Sequence, residues 1–151
     1  MAQSKQGSDY EVKVENIIAA RLEKARVMIC QLDFDQMEHE EGVRLHFVLD
    51  SPKNKEYLRR YLEIAASKGV DLLVFPELTM PTGFVSELLD YAKQYEMYIV
   101  GGTYYKKTDK GYVSICPIVM PDGVHYTEKI NPSPFEKSSF KDSADGVIPT
   151  S

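Results

Sequence analysis

A nearly continuous apolar segment that directly follows a helical segment most constrains the fold of this chain. Residues 70–75, VDLLVF, end at Pro76-Glu77. A continuous apolar run of this length is typical of a strand in a parallel sheet, where both faces are covered. Residues 53–68 precede it with apolar positions at helical spacing. A helix followed by a buried strand, in alternation along the chain, predicts an α/β fold.

The helix over residues 53–68 has signals at both ends. Ser51-Pro52 supplies an N-cap and a first-turn proline. Lys68-Gly69 supplies a cation for the last turn and a residue that tolerates the left-handed conformation. We expect one face of this helix to be buried, namely Leu58, Tyr61, Leu62 and Ala65.

The other predicted elements extend the alternation and end in antiparallel hairpins. Residues 1–9 are short and polar, which predicts a flexible tail. Pro117 predicts a bulge or a sheet edge within its strand. The predicted helices are 11–24 and 83–96, the latter burying Phe84, Val85, Leu88, Leu89 and Ala92, and the predicted strands are 26–34, 43–49, 70–75, 98–105, 112–120 and 124–128.

Composition excludes some classes of function and leaves others open. The chain has 151 residues, enough for one domain, with 18 Lys and Arg against 23 Asp and Glu and a net charge of -5. An acidic balance disfavours binding to nucleic acid or to an anionic membrane. No apolar run approaches a membrane span, and the polar start does not resemble a signal peptide, so we expect a cytoplasmic protein. Cys30 and Cys116 lie in apolar stretches, which favours buried thiols over a disulfide.

Two charged residues occupy positions where α/β proteins place their chemistry. Glu77 follows the buried strand 70–75, and ligands of open α/β sheets bind outside the carboxyl ends of such strands. Taken alone, a glutamate here is more often a solvated or helix-capping acid than a functional residue. Lys129 follows the strand 124–128 and opens a proline-containing loop, but by itself it is an ordinary exposed lysine.

Other candidate sites have weaker support. The segment 33–41 carries Asp33, Asp35, Glu38, His39, Glu40 and Glu41, which could hold a divalent cation or form a solvated acidic loop. The solvated loop is the favoured interpretation, because the segment has no glycine where a calcium loop turns sharply. Its extension to Leu49 could also be a lid or a contact surface. Phosphate-binding glycine motifs and the serine-hydrolase motif do not occur.

Taken together, several segments resemble the carbon–nitrogen hydrolase (nitrilase and amidase) superfamily in order and spacing. The first of them, MICQLDF at 28–34, resembles that family's first strand, and the resemblance covers residues from about 26 to at least 136. The most specific parts are the strand followed by Pro-Glu and the lysine after the second hairpin. The remaining segments are VDLLVFPEL at 70–78, GGTYY at 101–105, MPDG at 120–123 and YTEKINPSPFE at 126–136.

The resemblance implies a fold and a site. Residues 10–151 would be the N-terminal part of a nitrilase-like four-layer αββα sandwich. Glu77 would be the general base, Lys129 the oxyanion-stabilising cation, and Glu136 a second glutamate that orients the lysine and the substrate. The substrate would be a small amide or nitrile, with neither cofactor nor metal. The family's nucleophilic cysteine ends a strand well downstream of the lysine, and neither Cys30 nor Cys116 has that position.

The resemblance therefore implies that the chain is inactive alone and associates with a missing C-terminal part or with further copies of itself. The main alternative is a non-catalytic nitrilase-like module for binding or assembly in a larger protein, including defence-type multidomain proteins. A generic flavodoxin-like binding domain is a third interpretation, in which Lys129 has no role.

Overall fold

A sheet with helices on one face forms the centre of the molecule. A computed structural model describes residues 24–40, 47–109 and 111–131. Short 3₁₀ turns occupy Phe34–Gln36 and Thr82–Phe84. The helices and strands are β1 (Val27–Ile29), α1 (Pro52–Ser67), β2 (Leu72–Val74), α2 (Val85–Tyr95), β3 (Tyr98–Val100), β4 (Tyr104–Thr108), β5 (Gly111–Met120) and β6 (Gly123–Glu128).

The six described strands form one mixed sheet. Strand β2 lies between β1 and β3 and pairs with both in parallel. Strand β5 pairs antiparallel with β3, β4 and β6. Among these strands β5 alone therefore runs in the opposite direction, and the carboxyl ends of β2 and β6 point to the same edge of the sheet. The structure therefore confirms the predicted α/β class.

Both helices pack on the same face of the sheet, as expected when consecutive parallel strands are added in one direction. The core that they form with the sheet contains Leu58 and Leu62 of α1, Leu88 of α2, and Leu73 and Ile99 of the central strands, all with no exposed surface. The start of α1 is as predicted, because the Ser51 hydroxyl accepts a hydrogen bond from the Asn54 backbone amide. The predicted buried faces of both helices are confirmed, with Tyr61 and Leu89 only half-buried.

The opposite face of the sheet is apolar and partly exposed. Strand residues alternate between faces, so Val27 and Ile29 point away from the helices. Their exposed fractions are 54% and 77%. Leu72 and Val74 of β2 lie on the same face and are half-buried. The same face is covered at β4 and β5, where Phe47 and Leu78 pack against Tyr105, so its exposed part lies at β1.

The first strand is shorter than the predicted strand 26–34. Strand β1 ends at Ile29, and a 3₁₀ turn follows at Phe34–Gln36. The carboxylate of Asp33 accepts a hydrogen bond from the Asp35 amide at 3.1 Å. This local cap competes with continued strand pairing. Cys30 directly follows the strand, and its amide still donates to the Val74 carbonyl at 2.8 Å.

The predicted strand 98–105 is two strands separated by a bulge. Val100 pairs with Ile118 and Tyr104 with Ile115, so residues 101–103 face residues 116 and 117. The extra residue on one side defines a β-bulge. Pro117 lies opposite it, as predicted, because a residue without an N–H is tolerated where the ladder is interrupted.

Several predictions fall wholly or largely outside the described residues. They include the tail 1–9, the helix 11–24 except for its last residue, and most of the strand 43–49. In the described part of that last segment, Val48 forms an isolated antiparallel bridge with His39.

Candidate active site

Glu77 lies in a tight loop that its neighbours hold in place. This loop, residues 75–81, follows β2 and is called the Glu77 loop below. Leu78 within it has a positive φ of 58°. The Leu78 amide donates to the Thr103 hydroxyl oxygen at 2.8 Å. The hydroxyl of Thr79, which is fully buried, donates to the Pro76 carbonyl at 2.7 Å. These bonds fix the backbone on both sides of Glu77.

A glycine of the bulge allows this loop to approach the sheet. Gly102 has φ +70°, and a Cβ placed on it would lie 2.4 Å from the Pro76 carbonyl oxygen and 2.6 Å from the Thr79 hydroxyl. Both distances are too short for any side chain. Gly102 therefore permits the contact that places the Glu77 loop against the bulge.

Lys129 lies at the end of β6, on the same edge of the sheet. Its backbone amide donates to the Ser114 carbonyl at 2.9 Å, which extends the β5–β6 ladder by one residue. Its Nζ lies 3.1 Å from Oε1 of Glu77. The structure thus brings together two of the predicted site residues that are 52 positions apart. Glu136, the third, lies outside the described residues.

The Glu77–Lys129 pair is accessible to solvent. The two side chains are 55% and 36% exposed. Ion pairs at such positions contribute roughly 0–1 kcal/mol to stability. The pair therefore adds little to the fold, while a small molecule can approach both charged groups.

The two cysteines are free and poorly suited to nucleophilic attack. Cys30 is 4% exposed, and burial raises its pKa to about 12. Burial also raises the pKa of the half-buried Cys116, opposed by a hydrogen bond to Thr127. A thiol must ionise to attack carbon, so both are largely unreactive near neutral pH.

A cleft of about 210 Å³ lies beside the Glu77 loop. Leu78 and Met80, which follow β2, are among its lining residues, and the carboxyl ends of such strands are the usual location of ligand sites in α/β sheets. Aromatic and aliphatic side chains supply much of its surface, and two carboxylates lie at it. The lining residues are Glu40, Phe47, Val48, Leu49, Asp50, Leu78, Met80, Thr82, Thr103, Tyr104 and Tyr105.

In the acidic segment 33–41, the carboxylate of Asp33 is hydrogen-bonded to neighbouring residues. The two carboxylate oxygens of Asp33 accept hydrogen bonds from the Asp35 amide and the Gln36 side chain. Among the residues that the structure describes, no three histidine, cysteine, aspartate or glutamate side chains are grouped for a metal ion. In the same ranges, no helix is both long and apolar enough to cross a membrane.

Sequence reasoning missed the residues that support the site. Thr79, Gly102, Thr103 and Ser114 lie in or beside its elements, but their types are common in loops and strands. The consecutive glycines at 101 and 102 were the one available signal.

No protein-family model matches the chain, and no curated protein matches it either. Its chemistry is therefore inferred from its own residues, above all from Glu77 and Lys129.

Proposed function

We propose that this chain is the N-terminal part of a nitrilase-like hydrolase that cleaves carbon–nitrogen bonds other than peptide bonds. The observation that carries the proposal is the 3.1 Å contact between Glu77 and Lys129. A carboxylate and an ammonium from two strands with the same direction meet at the carboxyl edge of an α/β sheet, where a substrate can enter.

The roles follow from the charges. Glu77 accepts the proton of a thiol, and the resulting thiolate attacks the carbon of an amide or nitrile. Lys129 stabilises the negative charge that develops on the substrate oxygen or nitrogen. By the family resemblance alone, Glu136 would orient Lys129 and the substrate. The carbon–nitrogen bond of an amide then breaks, and the amine leaves with a proton that Glu77 returns. A water molecule next attacks the resulting thioester, which releases the carboxylic acid and regenerates the thiol.

The nucleophile in this proposal is not one of the chain's two cysteines. Cys30 is buried in the core, and Cys116 is paired with Thr127 in the middle of the β5–β6 ladder. The attacking thiol would come from polypeptide beyond these residues or from a partner chain. The 151-residue chain alone is therefore expected not to turn over.

The exposed apolar face supports the same proposal. Val27 and Ile29 lie on an edge strand, on the face away from the helices. A four-layer αββα sandwich would cover this face with a second sheet. Exposed edge strands and apolar surface of this kind favour association with another copy.

The test begins with the intact mass of the polypeptide from its native source. A mass above 17.2 kDa, with a further cysteine, is expected. That polypeptide should hydrolyse simple amides or nitriles, and Glu77→Gln and Lys129→Met should each abolish turnover. Glu63→Gln and Lys93→Met, which change exposed residues on the helices, are the matched controls. Activity that survives Glu77→Gln would refute the proposal.

A non-catalytic nitrilase-like module, serving binding or assembly in a larger protein, is the second candidate. The raised pKa values of both thiols favour it, because binding requires no thiolate. A native mass of 17.2 kDa, with amide binding that depends on Glu77 but without turnover, would support it. Two free thiols fit a reducing compartment such as the cytoplasm in either case.

A further inference from the structure

Ser114 carries a buried hydroxyl without a hydrogen-bond partner. The residue is 6% exposed, and no described residue bonds to its Oγ. Most buried hydroxyls in proteins are hydrogen-bonded, because an unpaired one lowers the stability of the fold. The hydroxyl of Ser114 therefore calls for an explanation other than packing.

The register places Ser114 in one row with two residues of the site. Ser114 pairs with Tyr105 on β4, and on its other side its carbonyl accepts the Lys129 amide. Residues that lie directly opposite each other in a sheet point to the same face, with Cβ atoms about 5 Å apart. Lys129, Ser114 and Tyr105 thus form a continuous row across β6, β5 and β4.

The Glu77–Lys129 contact passes over this row. Leu78, next to Glu77, packs against Tyr105 on the far side of β5 from Lys129. The ion pair must therefore cross β5 near Ser114. Tyr105 and Leu78 also line the cleft beside the Glu77 loop. Ser114 accordingly has Lys129 of the ion pair beside it on one strand and Tyr105 of the cleft beside it on the other.

We propose that Ser114 is a substrate-binding residue of this site. A substrate that extends from the cleft to Lys129 separates Lys129 from Glu77 and uncovers the hydroxyl. The Ser114 O–H then donates to the amide oxygen or nitrile nitrogen, next to the Lys129 ammonium. The inference rests on the proposed function. It adds the neutral hydroxyl of Ser114 to the charged ammonium of Lys129 as a hydrogen-bond donor to the substrate.

A stability measurement separates this role from a structural one. Ser114→Ala removes a hydroxyl that has no partner in the free protein, so the urea midpoint of the full chain should rise or stay unchanged. Ser86→Ala, which removes an exposed hydroxyl on α2, is the control. A lower midpoint for Ser114→Ala alone would show that the hydroxyl stabilises the fold and would overturn the proposal.

A binding measurement completes the test. Propionamide is titrated into the full chain while NMR shifts are recorded. Loss of one hydrogen bond should weaken binding by about fivefold in Ser114→Ala. Ser114→Thr, which keeps the hydroxyl, should bind more tightly than Ser114→Ala.

The outcomes distinguish the two proposals. Binding that Lys129→Met abolishes but Ser114→Ala leaves unchanged would refute the role of Ser114 and keep the proposed function. If the unsubstituted chain does not bind propionamide, both the proposed amide site and the role of Ser114 fail.

Discussion

The position of the Glu77 carboxylate depends on a residue that has no side chain. Gly102 lies against the Pro76 carbonyl and the Thr79 hydroxyl, and its φ of +70° is unfavourable for other residues. The site therefore depends on backbone conformation as much as on its charged groups.

Replacing Gly102 by alanine should destabilise the chain and displace the Glu77 loop. We expect a loss of about 2 kcal/mol from the left-handed conformation alone, with a further cost from the clash. The urea midpoint measures the effect. Gly123→Ala is the control, because a Cβ there has no heavy atom within 4 Å. Equal midpoints for the two variants would contradict this account of Gly102.

Burial of the Cys30 thiol makes stability depend on alkaline pH. Its pKa rises from an ordinary 9.0 to about 12 in the folded chain. Below pH 9.0 the thiol is protonated in both states, so its contribution to stability is fully present. Above that pH the unfolded chain releases the proton first, and stability falls until the pH passes about 12.

We therefore expect the free energy of unfolding to fall more steeply between pH 9 and pH 11 for the unsubstituted chain than for Cys30→Ala. Urea unfolding across this range measures both slopes. Tyrosines and lysines titrate in both proteins, so the difference isolates the thiol. Parallel slopes would show that Cys30 ionises normally.

Among the elements, the start of α1 connects the segments on either side of the undescribed residues 41–46. The side chain of Asn54, fully buried, accepts a hydrogen bond from the Glu38 amide and donates to the carbonyls of Glu38 and Leu49. One amide group thus holds the antiparallel segments at His39 and Val48 against the helix. Those segments also form part of the cleft.

Asn54→Ala removes three part-buried hydrogen bonds. The Glu38 carbonyl still accepts from the Leu49 amide, but the Glu38 amide and the Leu49 carbonyl lose the Asn54 side chain, and we expect a loss of roughly 2 kcal/mol. Chemical denaturation measures it. The control is Gln94→Ala, which removes an exposed amide from α2 and should change stability by less than about 0.5 kcal/mol. A small effect of Asn54→Ala would mean that water replaces these bonds.

For the whole molecule, the sheet face opposite the helices governs association. Val27 and Ile29 are more exposed than apolar residues of a packed sheet. Burying this face against a second sheet or a second copy would remove apolar surface from water.

The double change Val27→Lys and Ile29→Lys should reduce self-association while leaving the urea midpoint nearly unchanged. Light scattering should show a mass above 17.2 kDa for the unsubstituted chain and a mass near it for the double variant. Ile64→Lys, at an apolar residue of α1 that is 43% exposed, is the control. A monomeric unsubstituted chain at all concentrations would contradict association through this face.

Much of the fold followed from local signals in the sequence. The cap at Ser51, the proline at 52 and the spacing of Leu58 and Leu62 predicted α1 to within one residue at each end. The apolar run around Leu73 predicted a parallel strand, which is confirmed, although of its two faces only the one toward the helices is fully buried. Such signals are reliable because periodicity records which side chains are buried, and this is encoded within a few neighbouring residues.

Local signals in the sequence could not predict which site residues contact each other. The sequence and its resemblance to a family indicated Glu77 and Lys129, but their contact requires β6 to run parallel to β2 with β3 and β5 between them. The bulge at Gly102 and the position of Ser114 depend on the same register. Register is set by pairing between distant strands, so the tertiary structure alone determined which of these side chains meet.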